Sequence, residues 1–187
     1  MIQIIGDDNK ATAEYLIKNL KIDGQDLSSR DYSIVQLEMF SFQGQHSFEN
    51  AQCPEGYVLG SLIEKHNQLA TSQGQWFTNI GRPASIEYHK QCVQRLDTVA
   101  AYHKQDPSTP VAWGMQWAHD STIGNVFAVV EHRRRGLAMA MLVEACSRIL
   151  AKGDLPQCRV QKQNAISINL FRKLGFSSIG KATVFMH

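Results

Sequence analysis

The sequence predicts an α/β fold, and the stretch from residue 123 to residue 150 carries most of that prediction. Residues 123–130 alternate as a strand does, a basic turn follows at 131–135, and Gly136 then opens an apolar helix from Leu137 onward. A second strand at 157–161 and a second helix from Asn164 come next. Strands that alternate with helices in this order are typical of an α/β protein.

The composition limits the classes of protein to which the chain can belong. Its 187 residues are enough for one well-filled core, or for one domain with an appendage. A hydrophobic content of 43% and a charged content of 19% are typical of a soluble globular protein, and no apolar run is long enough to span a bilayer. The formal net charge of +2 says little about partners.

The basic turn between the strand and the helix is a candidate anion site. The first amide N–H groups of a helix have no partners inside it, and here they point into the turn together with the positive end of the helix dipole. The pattern Arg133-x-x-Gly136-x-Ala138 concentrates positive charge, which suits a phosphate or pyrophosphate better than a nucleic-acid surface. Three arginines before a glycine are also typical of solvated loops and basic address signals, but the strand and the helix around them favour the anion site.

The first fifty residues predict a few additional elements. We expect a short strand over residues 1–5, a helix over 11–20 and a strand over 33–42, followed by a linker at 44–50. This segment either packs as added elements or is the remnant of a truncated form whose exposed strand edges invite a partner.

From Tyr57 onward, apolar residues recur at strand or helix spacing and predict a regular succession of elements. First come a strand over 57–62 and helices over 63–70 and 85–96. Strands over 98–103 and 111–118 follow, with a turn at 105–110 between them. After the elements already described from residue 123 onward, a closing strand covers 178–186.

The four cysteines and the N-terminus indicate a reducing compartment. Cys53, Cys92, Cys146 and Cys158 have neither the spacing of a metal site nor that of a disulfide framework. Acidic residues stand near the N-terminus, where a secretory or mitochondrial leader would carry lysine or arginine. We therefore expect a cytoplasmic protein that binds no metal.

Several motifs together resemble the GNAT superfamily of N-acyltransferases. The turn Arg133-x-x-Gly136-x-Ala138, Asn164, and the run from Phe171 to Phe176 look like the two acyl-CoA motifs of that superfamily. Further residues narrow the resemblance to the animal glycine N-acyltransferase-like group: Pro110–Trp113, Glu131–Gly136 and Pro54–Tyr57, with His66 and Trp76.

The resemblance implies the GNAT fold, a central mixed and mostly antiparallel sheet with a splay between its fourth and fifth strands, flanked by helices. It places an acyl-CoA-binding domain at residues 51–187 and allows residues 1–50 to be the remnant of a degenerate N-terminal half, with a few added elements as the alternative. It would also allow a mitochondrial address, although the N-terminus does not look like a leader.

An acyl-CoA or acetyl-CoA cosubstrate is the ligand that the resemblance implies. Its pyrophosphate would rest on the amide N–H groups after the turn. Its amide-bearing arm would pair with an open strand edge, which the resemblance places at Val129 and Val130, near the splay. Asn164 would cap the next helix or touch the arm, and Phe171 would line the thiol end. The expected binding residues are Val129, Val130, Arg133, Arg134, Arg135, Gly136, Leu137, Ala138, Met139, Asn164 and Phe171.

Two catalytic groups of the family have no counterpart in this sequence. Many GNAT enzymes have a tyrosine general acid at the position of Phe171, and glycine acyltransferases have a glutamate base at a position that counts back to Thr122. Phenylalanine and threonine cannot perform these roles, so the catalytic residues remain unassigned. His119 and Asp120 are the candidates for proton transfer through a water, and a solvated surface role is the alternative for them.

Two functions of different classes are consistent with these residues. The first is transfer of an acyl group from acyl-CoA to the amino group of glycine or a similar small amine. The second is a non-catalytic acyl-CoA-binding module that acts through a partner, which the missing tyrosine and glutamate favour. A nucleic-acid-binding role for residues 132–135 is a third, disfavoured hypothesis. The sequence predicts no membrane partner and is compatible with a homo-oligomer.

Overall fold

The structure is a computed structural model that describes residues 2–5, 21–22, 25–26, 33–44, 52–73, 87, 90–91, 93–94, 98–116 and 121–186. The strands in these ranges are β1 (Ile2–Ile5), β2 (Lys21–Ile22), β3 (Gln25–Asp26), β4 (Ser33–Phe42), β5 (Tyr57–Gly60), β6 (Thr98–His103), β7 (Asp106–Gln116), β8 (Thr122–Ala128), β9 (Gln157–Gln161) and β10 (Phe176–Met186). The continuous helices are α1 (Asn67–Gln73), α2 (Leu137–Ala151) and α3 (Ala165–Lys173), and short 3-10 helices occupy Glu64–His66 and Val130–His132.

One large sheet organises the molecule. Its eight strands lie in the order β1-β10-β4-β9-β8-β7-β6-β5, and a separate two-stranded sheet joins β2 to β3. Neighbours in the large sheet are antiparallel, except that β8 and β9 are parallel. A parallel pair needs a crossover connection, and α2 provides it between β8 and β9.

β8 and β9 separate soon after they meet. Their described register consists of two pairs at the start of both strands, Thr122 with Gln157 and Ile123 with Cys158. On its other edge β8 stays paired with β7 as far as Ala128. Counted from β5, the separating strands are the fourth and fifth, so the predicted mixed sheet with a splay at this position is confirmed.

A strand from the N-terminal segment lies inside the sheet. β4 pairs along its whole length with β10, and residues 37–41 also pair with β9. Leu37, Phe40 and Phe42 are 3%, 0% and 2% exposed, so this strand supplies core side chains. The predicted strand over 33–42 is confirmed, and the single closing strand, β10, lies between β4 and β1.

Helices cover the two faces of the sheet. Alternation along β6 separates these faces, because Val99 and Ala101 pack with residues of α2, whereas Ala100 and Tyr102 pack with Ala70 of α1. α3 lies on the same face as α2, and both helices share a core with β4 and β9. The splay therefore opens between an α2/α3 face and an α1 face.

Two glycines in the left-handed conformation mark the two ends of α2. Gly136 is its N-cap with φ 83°, and Gly153, also with φ 83°, follows its last turn. At the C-terminal end, the N–H groups of Gly153 and Asp154 donate to the carbonyls of Leu150 and Ile149, which is the pattern of a Schellman motif. The predicted apolar helix from Leu137 is confirmed.

Several predicted boundaries are wrong. β8 ends at Ala128 rather than at residue 130, because the chain there turns into a 3-10 helix. The turn expected over 105–110 is confined to 104–105, since His103 already pairs with Asp106. The helix expected over 63–70 is a 3-10 turn followed by α1, and the strand expected over 57–62 ends at Gly60.

Other predicted elements fall partly or wholly outside the described residues. The helix expected over 11–20 and most of the linker at 44–50 lie outside them. Within the helix expected over 85–96, the described residues 87, 90–91 and 93–94 are helical.

Candidate active site

The turn between β8 and α2 has the geometry of an anion cradle. Arg134 and Gly136 adopt left-handed conformations, with φ 58° and 83°. The first hydrogen bond into α2 runs from the Ala140 N–H to the Gly136 carbonyl at 3.1 Å, so the helix itself offers no acceptor to the N–H groups of residues 137–139. Backbone donors at the positive end of a helix dipole bind phosphate well.

The backbone conformation at position 136 favours glycine. A Cβ added here would lie 3.6 Å from Cγ of Pro54, which is an ordinary van der Waals distance. The φ of 83°, however, is one that L-residues with a side chain rarely adopt. Beside the open approach that the sequence predicts for an anion, this glycine therefore has a conformational role.

Aromatic contacts fasten the turn to the sheet. The Tyr57 hydroxyl lies 2.9 Å from Nδ1 of His132, and the two rings meet edge to face with centroids 5.7 Å apart. Tyr57 is buried and also contacts His103 of β6 edge to face, at 5.1 Å. These contacts tie the 3-10 helix before the cradle to β5 and β6.

The three arginines of the turn are exposed and differ in position. Arg133 folds back along β8: its Nε donates to the Ala128 carbonyl at 2.8 Å, and its guanidinium carbon lies 5.6 Å from the Phe127 ring centroid. This places Arg133 at the mouth of the splay, whereas Arg134 and Arg135 add positive charge around the turn itself.

The open edge of β8 is not where the sequence predicts it. The Val129 N–H donates to the Val111 carbonyl of β7 at 2.9 Å, and Val130 lies in the 3-10 helix. Because backbone groups alternate in direction along a strand, those of Val126 and Ala128 face the splay instead, where the Ala128 carbonyl accepts from Arg133 Nε. The expectation that Val129 and Val130 form the open strand edge is therefore wrong.

A cavity of about 460 Å³ occupies the splay. β8 and β9 form its sides, α1 and α3 contribute residues from opposite faces of the sheet, and the turn contributes Arg133. Its described lining is Gln73, Ile123, Gly124, Asn125, Val126, Phe127, Arg133, Arg159, Val160, Gln161, Asn164, Ile166, Ser167 and Phe171. Of the predicted binding residues, Arg133, Asn164 and Phe171 thus share one cavity.

Asn125 marks an irregularity in β8 that the sequence analysis missed. Its φ is 50°, and the register between β7 and β8 shifts here, between Trp113 and Met115. A bulge of this kind interrupts the ladder and redirects the strand, and Asn125 lines the cavity. The Gly124-Asn125 pair inside an alternating strand is a signal from which the bulge could be predicted.

Asn164 and Phe171 both border the cavity. The Asn164 Oδ1 accepts the N–H of Ser167 at 3.1 Å and so caps α3, which confirms the capping role. Phe171 is buried and meets Phe176 at a centroid distance of 5.2 Å in a T-shaped arrangement. Contact of either residue with a cosubstrate stays a prediction.

The described lining of the cavity holds no carboxylate, imidazole, thiol or phenol. Its polar side chains are amides, a hydroxyl and two guanidinium groups, none of which accepts a proton from an amine at neutral pH. Thr122 is buried at the start of β8. His119 and Asp120 lie outside the described residues.

Metal and membrane sites have no support in the described part of the chain. Within it, no three His, Cys, Asp or Glu side chains come together in a way that could hold a metal ion. Nor does any helix described there combine the length and apolar character needed to cross a bilayer.

Cys146 and Cys158 are buried free thiols, and burial raises the pKa of Cys146 to about 12.

Comparison with known proteins identifies the architecture. The family model described as FR47-like protein matches residues 98–186, from β6 to the last residue of β10. A GCN5-related N-acetyltransferase from Sphaerobacter thermophilus aligns with 99% of this chain and 58% of its own, at a TM-score of 0.66 and 15% identity. This chain has the GNAT fold.

Other solved structures are similar in fold to this chain. A Drosophila protein aligns with 84% of this chain and 52% of its own, at a TM-score of 0.67 and 16% identity. A tandem GNAT protein from the clavulanic acid biosynthesis pathway, solved without AcCoA, aligns with 82% of this chain and 53% of its own, at a TM-score of 0.59 and 14% identity. The chain thus spans 52% to 58% of the length of these three structures. No curated protein matches it at a significant level.

Proposed function

We propose that this protein transfers an acyl group from acyl-CoA, such as acetyl-CoA, to the amino group of glycine or a similar small amine. The observation that carries the proposal is the cavity between β8 and β9, to which the anion-cradling turn contributes Arg133. This arrangement joins a site for a diphosphate to a space between strands that can hold a thioester and a small amine. The GNAT fold and the resemblance to glycine N-acyltransferases support the same choice.

The residues of the turn and the splay fit the parts of an acyl-CoA. The N–H groups of residues 137–139, with Arg134 and Arg135 nearby, suit its diphosphate. The open edge of β8, at the Val126 backbone and the Ala128 N–H, can pair with the amides of the pantetheine arm, as a strand edge pairs with an extended peptide. Such pairing leads the arm from the turn into the cavity, where the thioester would lie.

In the proposed reaction, the amine nitrogen attacks the thioester carbonyl carbon. The new C–N bond forms, the C–S bond breaks, the sulfur leaves as thiolate, and the nitrogen gives up a proton to solvent or to a base. Positioning alone supplies roughly 7–11 kcal/mol in favourable cases, so the reaction does not require every proton-transfer group of the family. The described residues contribute by fixing the pantetheine arm in an extended conformation and by bringing the two reactants together.

The absence of a proton acceptor in the described lining has a kinetic consequence. If solvent deprotonates the amine, the logarithm of the rate rises with pH at a slope of about one until the pKa of the free amine is reached. If His119 or Asp120 serves as the base, the rate instead reaches a plateau well below that pKa. A pH–rate profile with the wild type and with His119→Gln and Asp120→Asn separates these two mechanisms.

The proposed function is tested by measuring thiol release from acetyl-CoA in the presence of a panel of small amines that includes glycine. We expect saturable release that depends on the amine, and mass spectrometry should identify the N-acyl product. If no amine stimulates release while CoA binds saturably, the acyltransferase proposal is wrong.

A second candidate function is a non-catalytic acyl-CoA-binding module that acts through a partner. The described lining favours it by having no proton acceptor, and Phe171 cannot protonate a leaving thiolate. Saturable binding of acyl-CoA without turnover of any amine is the result that this candidate predicts.

A further inference from the structure

The side chain of Arg133 lies on a different face of the sheet from the helix that forms the anion cradle. Its guanidinium carbon is 5.6 Å from the centroid of the Phe127 ring. Phe127 packs against the core cluster of the α1 face, where its ring centroid lies 4.8 Å from that of Trp113. Leu137, the first residue of α2, belongs to the core cluster of the opposite face. The guanidinium group therefore faces the α1 side of the splay, whereas the candidate diphosphate site is the end of a helix on the other side.

The protein holds this guanidinium group in a defined position. Arg133 Nε donates to the Ala128 carbonyl at 2.8 Å, and the side chain lines the cavity. The described part of the chain gives its two terminal nitrogens no hydrogen-bond or ion-pair partner, and the described lining has no Asp or Glu that would repel an anion. Two parallel hydrogen bonds from a guanidinium group fit a carboxylate, and a side chain that is already held loses little freedom on binding. Arg133 is thus a preorganised site for a carboxylate.

An amide lies on the same face, at a distance that an amino acid can span. Asn125 faces the α1 side, because its Nδ2 lies 3.6 Å from Sδ of Met115, a member of the core cluster there. Asn125 and Phe127 are two positions apart in β8, so their Cα atoms are roughly 6–7 Å apart. The amino and carboxylate groups of an α-amino acid are attached to the same carbon. With a hydrogen bond of about 2.9 Å at each end, they can reach from the Asn125 amide to a guanidinium group over Phe127.

We propose that Arg133 binds the carboxylate of an α-amino acid acceptor on the α1 side of the splay, so that a free carboxylate is a requirement for the acceptor. The amino group of the acceptor then lies beside Asn125, and its Cα lies against the Phe127 ring. This position is next to the end of a pantetheine arm that follows the β8 edge. The inference rests on the proposed acyl transfer and makes it more specific, because that proposal also admits amines without a carboxylate.

Binding of the reaction product tests the carboxylate requirement without any need for turnover. N-acetylglycine carries the negative charge, and N-acetylglycinamide has a neutral amide in its place. In isothermal titrations of the CoA-saturated wild type, we expect the acid to bind about tenfold or more tightly than the amide, as a charged hydrogen-bonded pair should give. Arg133→Met should remove this preference, and Arg133→Lys should retain part of it, because lysine keeps the charge and loses the two parallel donors.

Arg135 offers a matched control, because it is another exposed arginine of the same turn and stands next to the cradle. Arg135→Met should weaken the binding of CoA and keep the preference for the acid. Arg133→Met should lose the preference and bind CoA more tightly than Arg135→Met does. Binding of CoA also shows that each variant is folded. Weaker binding of CoA by Arg133→Met than by Arg135→Met would assign Arg133 to the cosubstrate and overturn the inference.

Two further results would also overturn the inference. One is an acid that binds the wild type no more tightly than its amide does, and the other is a preference that survives Arg133→Met. Activity then separates this inference from the transferase proposal. Acyl transfer to ethylamine as efficient as transfer to glycine refutes only the carboxylate requirement, whereas a preference for the acid in binding, without turnover of any amine, refutes only the transferase proposal.

Discussion

The two left-handed glycines at the ends of α2 allow a controlled test of the anion cradle. Gly136 and Gly153 share a φ of 83°, but Gly136 opens the helix at the candidate diphosphate site and Gly153 closes it at the opposite end. An added Cβ meets Pro54 at 3.6 Å in the first case and nothing within 4 Å in the second. Neither alanine substitution therefore causes a clash, and both should destabilise the protein only through the left-handed backbone angle.

The size of this destabilisation follows from the backbone energetics. A left-handed conformation raises the free energy of a residue with a Cβ by about 1–2 kcal/mol. For a chain of this size each kcal/mol lowers the melting temperature by roughly 2–4 °C, so Gly136→Ala and Gly153→Ala should both melt about 2–8 °C below the wild type. Only Gly136→Ala should also lose affinity for CoA, because relief of the strain rotates the N–H groups of residues 137–139 away from the anion.

Thermal unfolding with and without CoA measures both effects. At a CoA concentration of about 100 times the wild-type Kd, the wild type and Gly153→Ala should gain about 2.7 kcal/mol. If Gly136→Ala raises the Kd tenfold, its gain falls to about 1.4 kcal/mol at the same concentration. Equal stabilisation of the two variants by CoA would show that the turn does not bind the cosubstrate.

Three further predictions concern the core and its titratable groups. Phe40→Ala, at a position that is 0% exposed in β4, should lower the free energy of unfolding by about 3–5 kcal/mol in urea titrations; a loss below about 1 kcal/mol would contradict the central position of this strand. Burial lowers the pKa of His66 from its ordinary 6.5, so the unfolded chain binds more protons and the free energy of unfolding falls as the pH drops below about 6.5. His66→Gln should flatten this pH dependence in urea titrations, and an unchanged slope would show that His66 is not its source. Burial raises the pKa of Cys146 and of Cys158, so neither thiol should react with a disulfide reagent at about pH 8 until the protein unfolds. Labelling of either cysteine in the native protein, detected by mass spectrometry, would contradict this.

The elements around the turn could be predicted because their signals are local. The alternation before Ala128, the glycine at 136 and the apolar helix after it lie within one continuous stretch, and the helix begins where the sequence indicates. The strand over 33–42 could be predicted for the same reason. Its place between β9 and β10 could not, because that pairing joins residues more than 100 positions apart, and periodicity carries no information about such partners.

The candidate site was predictable at its turn and not in its cavity. The N–H groups after Gly136 follow from helix geometry alone. Gln73 and Arg159, by contrast, meet in one cavity only because α1 and β9 converge on the splay from distant parts of the chain. The resemblance places Val129 at the open edge because the sequence does not reveal that the Val129 N–H is already bonded to the Val111 carbonyl of β7.

A crystal structure of the protein with bound CoA tests the central claim most directly. We predict the diphosphate on the N–H groups of residues 137–139, the pantetheine arm along the β8 edge at Val126 and Ala128, and the sulfur inside the cavity near Asn125. A CoA molecule bound away from the turn, or a splay closed by pairing of β9 with the rest of β8, would contradict the account.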